Sequence, residues 1–125
     1  MLRLQQDSLD WALAHVLRYG DTDVFPVPFE YGAIEHDWNN VKASLAAADV
    51  LQWTTRPQRI LLSPKGRNGF RVITQLDPLD FLVLAALVRE LAGDLEARRI
   101  PVAQGRVFSY RASPQADGQL FAPDT

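Results

Sequence analysis

The residues best suited to chemistry cluster around one turn. Ser63-Pro64-Lys65-Gly66-Arg67-Asn68-Gly69 is followed by Arg71 and preceded by Arg56 and Arg59. Lysine offers a compact point charge, and arginine a planar fork that matches the oxygens of a phosphate. Glycines at such a turn let the backbone approach a ligand closely. Charge is segregated to match. Residues 51–76 hold five bases and no acid, while residues 1–50 are net −5 and the whole chain is −2. A second basic stretch, Arg98, Arg99, Arg106 and Arg111, has no acid between Ala97 and Ala116, and eleven of the thirteen bases are arginine. Lysine and arginine beside such a turn, here Lys65, Arg67 and Arg71, can meet a phosphate chain. The competing reading is an edge hairpin kept soluble by its charge.

Other chemistries find little support. His15 and His36 are the only histidines, and neither stands at metal-ligand spacing from a second ligand. The absence of cysteine excludes disulfides, thiolate zinc sites and thiol nucleophiles. No phosphate-binding loop, dinucleotide fingerprint or nucleophile elbow occurs. The acid pairs Asp21/Asp23 and Asp77/Asp80 read as a solvated connector and a helix cap. No self-contained catalytic constellation is visible, and metal binding is not expected.

These side chains need a scaffold. With 125 residues the chain is long enough for a single domain that buries roughly two thirds of its unfolded surface. The longest apolar run, Phe81 to Val88, is too short to span a bilayer, and the N-terminus is too polar for a signal peptide, so a cytoplasmic location is expected. A first helix is predicted over Asp7 to Tyr19, with Asp7 as its cap and Gly20 as its stop. A second is predicted from about Phe29 to Ala48, where Tyr31, Ile34, Trp38, Val41, Leu45 and Ala48 step by three and four. The stretch 21–28 reads as an extended connector, because its prolines oppose a helix. Ile60–Leu62 and Phe70–Thr74 read as the strands of a hairpin, with Val50–Thr54 a candidate third strand. Asp77-Pro78 opens a helix running to about Arg99 that is apolar nearly all round in its middle, hence central and buried. Arg106–Arg111 reads as extended, and 112–125 as a loosely ordered tail. The fold class expected is α+β: N-terminal helices, a basic β-hairpin and a central buried helix.

Taken in order, Pro64-Lys65-x-x-x-Gly69-x-Arg71-x-Ile73, Asp77-Pro78-x-Asp80-Phe81, Ala85-Ala86-Leu87 and Phe108-Ser109-Tyr110-Arg111 resemble the N-terminal fingers region of bacterial reverse transcriptases of the group II intron, retron and defence type. Upstream, Leu9-Asp10-Trp11-Ala12 and Tyr19-Gly20-Asp21-Thr22-Asp23-Val24-Phe25-Pro26 resemble an extension in one bacterial subset of those RNA-directed DNA polymerases, so the resemblance spans about residues 8–123. It implies nucleotide contacts by Lys65 and Arg71. It also implies contacts to an RNA or DNA template by Arg56, Arg59, Arg67, Tyr110 and Arg111, with structural roles for the last two equally open.

The family's two Mg²⁺ ions are held by palm aspartates, on a strand after the F-S-Y segment and on a [YF]-x-D-D turn, and this sequence contains neither. The chain is thus expected to be a fragment, split subunit or truncated product that packs on a palm domain or partner chain and does not polymerise alone. Apolar side chains nearest the missing part, Phe108, Tyr110, Leu120 and Phe121, are expected to be exposed. The alternative function is a stand-alone α+β module that binds nucleic acid or protein without catalysis.

Overall fold

The computed structural model describes residues 1–20, 27–106 and 110–123. The order is α1 (Gln6–Tyr19), α2 (Glu30–His36), α3 (Trp38–Ala47), β1 (Arg59–Lys65), β2 (Gly69–Gln75) and α4 (Pro78–Ala97), with short 3₁₀ turns at Val50–Gln52 and Val102–Gln104. The fold is a small α+β one, as its composition of helical stripes and one glycine-rich turn implies. The expected connector 21–28 lies mostly outside the described residues.

Leu9, Ala12 and Val16 of α1 pack on Leu82, Val83, Ala85 and Ala86 of α4, and Tyr31, Ile34 and Leu45 complete the core from α2 and α3. Leu9, Ala12, Leu82 and Ala86 are fully buried. The small side chains of α4 let α1 approach closely. Arg89 of α4 reaches across to the buried Ser8, donating to its Oγ at 2.9 Å. On its far side α4 leaves Leu84, Leu91 and Leu95 exposed, so the helix is central without being covered all round.

Several expectations are corrected. The cap of α1 is Gln5, which makes no side-chain capping bond, and Asp7 sits in the first turn. Asp10 instead ties α1 to α3, accepting from Trp38 Nε1 at 2.8 Å and from Lys42 Nζ at 3.0 Å. The second helix is broken at Asp37, whose φ of −113° and ψ of 35° leave the helical region, although the predicted stripe still faces the core. Val50–Gln52 is a 3₁₀ turn, not a strand, because the Asp49 carboxylate captures the Leu51 amide and folds the backbone locally. The start of α4 follows expectation: Asp77 accepts from the Leu79 amide and Pro78 occupies the first turn.

Within the tail, residues 112–121 form a small hydrogen-bonded hairpin. Ala112 and Phe121 pair as an antiparallel bridge, and Ser113 N donates to Leu120 O at 2.7 Å. This small hairpin lies along α1. Trp11 Nε1 donates to Gln115 O, His15 Nδ1 lies 2.7 Å from Gly118 O, and Tyr19 donates to Asp117. Its other anchor is Glu96, near the end of α4, which accepts from the Ala112 amide and from Arg99 and Arg111. Those bonds, the Ala112 amide foremost, hold the Glu96 carboxyl down at about 2.

A carboxyl depressed on folding stabilises fully above its unfolded value near 4.5, and that contribution is lost as pH falls toward about 2. Glu96→Gln is expected to flatten the acid limb of stability between those values. Chemical unfolding from pH 5 to pH 2 checks it, and an unchanged slope would show that Glu96 does not anchor the tail.

Candidate nucleic-acid interface on the hairpin

The β1–β2 hairpin is built by its turn and by alternation. Gly66 adopts φ +66°, a conformation glycine supplies without strain. The strands pair antiparallel from Arg59↔Gln75 to Lys65↔Gly69, and this is the only sheet among the described residues. Seven-residue strands make an arm about 20 Å long. Its base is tied to the helices by the Arg59–Glu30 ion pair, the one ion pair between arm and helices among the described residues. The helix-borne Tyr31 sits beside that base, 7% exposed. Burial, with Asp77 and Glu30 nearby, pushes its phenol up to about 12.

Directly paired residues project to the same face of a sheet. The register puts Arg59, Leu61, Ser63, Lys65, Arg71, Ile73 and Gln75 on one face, and Ile60, Leu62, Pro64, Phe70, Val72 and Thr74 on the other. Lys65 and Arg71 are therefore diagonal neighbours on one face, since Ser63 opposes Arg71 and Gly69 opposes Lys65. Both are exposed, as is Arg67 at the turn. No ion pair engages Lys65, Arg67 or Arg71 among the described residues; Asp77 and Asp80 do not reach them. The arrangement is a pair of adjacent, solvent-facing cations whose mutual repulsion an anion would relieve.

No family model, curated protein or solved structure matches the chain.

The remaining candidates lie elsewhere. Arg59 sits at the base of the arm, bonded to Glu30 and to Gln75. Arg56 lies over the Trp53 ring, 5.8 Å from its centroid, and 3.9 Å from Asp80. Arg111 is directed inward, to Glu96 and the Ile100 carbonyl, and only 12% of its side chain is exposed. Tyr110 is exposed and packs against Phe121, ring centroids 5.1 Å apart. No hydrogen bond or ion pair joins Tyr110 or Arg111 to the arm among the described residues. Of the four apolar side chains expected to be exposed, Tyr110 and Phe121 are, Leu120 packs on the core, and Phe108 lies outside the described residues.

Two features escaped the sequence reading. Asp80, read there as a helix-start acid, is 5% exposed and accepts from Trp53 Nε1 at 2.9 Å and the Arg56 amide at 2.8 Å. The second is the open apolar face of the arm: Ile60, Leu62, Phe70 and Val72 are each about 60–70% exposed. The alternation Ile60-x-Leu62-x-Pro64 and Phe70-x-Val72 was the signal for it. No three His, Cys, Asp or Glu side chains converge among the described residues. No described helix is long and apolar enough to cross a membrane.

Proposed function

We propose that the chain is a nucleic-acid-contacting, fingers-like segment of an RNA-directed DNA polymerase, whose hairpin presents Lys65 and Arg71 to a polyphosphate. The observation that carries this reading is the register: both cations stand on one face, adjacent and without an ion-pair partner among the described residues. Arg71 would clasp two phosphate oxygens through its fork, and Lys65 would add a mobile point charge. Chemistry in this reading belongs to a metal-bearing palm outside these 125 residues, which by themselves are expected to be inactive in primer extension. Work in the cytoplasm, on templates of a mobile element or a defence system, fits the resemblance.

The test is direct. A labelled oligonucleotide, and separately inorganic triphosphate, is titrated against the chain at several salt concentrations. Lys65→Ala and Arg71→Ala are each expected to weaken binding by about three- to tenfold and to flatten the salt dependence by about one ion each. Unchanged affinity and salt slope in both variants would end the assignment. A second reading, a self-contained binding module, draws on the ordered packing of 112–123 against α1; binding that survives both substitutions on a folded chain would favour it.

A further inference from the structure

The apolar face of the arm and a groove at its base carry a second inference, independent of the phosphate reading. The groove, of about 500 Å³, lies between α2–α3 and the start of α4. Ile34, Val41 and Leu79 give it an apolar floor, and Glu30, Asp37 and Asp77 make it acidic. Asp37 and Asp77 have no cation partner among the described residues, and Glu30 Oε2 is a buried acceptor with no donor. The arm has the opposite character. Phe70 and Val72 are 67% and 68% exposed, beside Pro64, and Arg67, with no ion-pair partner among the described residues, is at the tip.

The arm cannot fill its own groove. The Arg59–Glu30 pair fixes the arm's base beside the groove, which leaves the tip about 20 Å away along extended strands. We propose that the distal apolar face of the arm seats in the groove of a second copy of this chain, with Arg67 meeting Asp37 and Asp77, in a reciprocal two-fold exchange. A two-fold contact uses the same patch on both copies, and arm and groove on one chain supply both halves. The groove has room for roughly two or three large side chains at native packing density, which matches Pro64, Phe70 and Val72. Ile60 and Leu62, nearer the base, then meet the same side chains of the second copy. The exchange also answers a stability problem, because a two-stranded hairpin with both faces in water is marginal by itself. Lys65 and Arg71 stay on the opposite face, open to solvent.

Sedimentation equilibrium of the 125-residue chain from about 1 to 200 μM tests this, with circular dichroism checking the fold of every variant. A concentration-dependent dimer is expected, weakened at least tenfold by Val72→Asp and by Asp37→Lys. Arg67→Glu is expected to weaken it as well, and Arg67→Glu combined with Asp37→Lys in one chain to restore much of the loss. Lys65→Ala and Arg71→Ala are expected to leave dimerisation unchanged, so failure of the phosphate reading and failure of this one give different results. A monomer throughout the range would overturn the proposal. So would a dimer indifferent to Val72→Asp and Asp37→Lys, or a monomer whose oligonucleotide binding falls in Val72→Asp, which would assign the apolar face to nucleic acid.

Discussion

Asp80→Ala is expected to lower the unfolding free energy by about 3 kcal/mol, because hydrogen bonds to a charged group contribute roughly 1.5–3 kcal/mol each and this carboxylate accepts two from within the chain. The Trp53 indole N–H and the Arg56 amide would lose their acceptor in a part-buried place. The Arg56 guanidinium, nearly half exposed and 3.9 Å away, adds little. The consequence reaches beyond α4, since Asp80 fastens the segment that leads from α3 into the arm. Urea unfolding followed by far-ultraviolet circular dichroism gives the loss, and tryptophan fluorescence reports release of Trp53. A change under about 1 kcal/mol would mean that the carboxylate serves only as a helix-start charge. Asp80→Asn, which keeps one acceptor, is expected to fall between the two.

Gly118→Ala should detach the C-terminal hairpin from α1 at a cost of about 2–4 kcal/mol, from backbone strain and overpacking together. Gly118 sits at φ +98°, and a Cβ there would lie 2.8 Å from the Ala14 carbonyl carbon and from the His15 amide nitrogen. Neither neighbour can move aside, because both belong to the backbone of a helix. Relief has to come from the hairpin, whose displacement would break the His15 and Trp11 contacts. The His15 ring, stacked on Trp11 with centroids 5.0 Å apart, would lose its lock on the Gly118 carbonyl. Hydrogen exchange at Ser113 and Gln115, whose amides are bonded inside the hairpin, is expected to rise sharply while α1 and α4 stay protected. Protection at those two amides equal to wild type would show that the tail holds without this close approach.

Much of the scaffold was legible in the residues. The three- and four-residue spacing from Tyr31 to Leu45 names the side chains that reach the core, even though the helix carrying them is broken at Asp37. Periodicity reports which face is buried, and a single residue leaving helical geometry barely disturbs it. Asp77-Pro78 marked the start of α4 because the cap and the proline act within one turn. Asp7 was misread for the same reason in reverse: an acid near a helix start suits both the cap and the first turn, and local sequence does not separate them. Val50–Thr54 looked like a strand on side-chain type, but the Asp49 carboxylate bonds to the Leu51 amide and wins locally.

The candidate site divides in the same way. Charge, turn and alternation are local properties, so the sequence alone determined that a basic hairpin forms over about residues 60–74 and that Lys65 and Arg71 flank its turn; the structure extends its strands to Arg59–Lys65 and Gly69–Gln75. It could not determine which cations remain open. Arg111 and Lys65 look alike in a list of bases, yet Arg111 meets Glu96, fifteen residues away, while Lys65 meets no carboxylate among the described residues. Nor could it tell that residues 112–123, poor in periodic signal, would order, because their support is the backbone of α1 about a hundred residues upstream. Strand alternation creates two faces, but whether a face is covered depends on which distant elements fold against it. Here the described helices hold the arm at its base, and the tertiary structure alone decided that one face would stand open with its cations and the other with its apolar side chains.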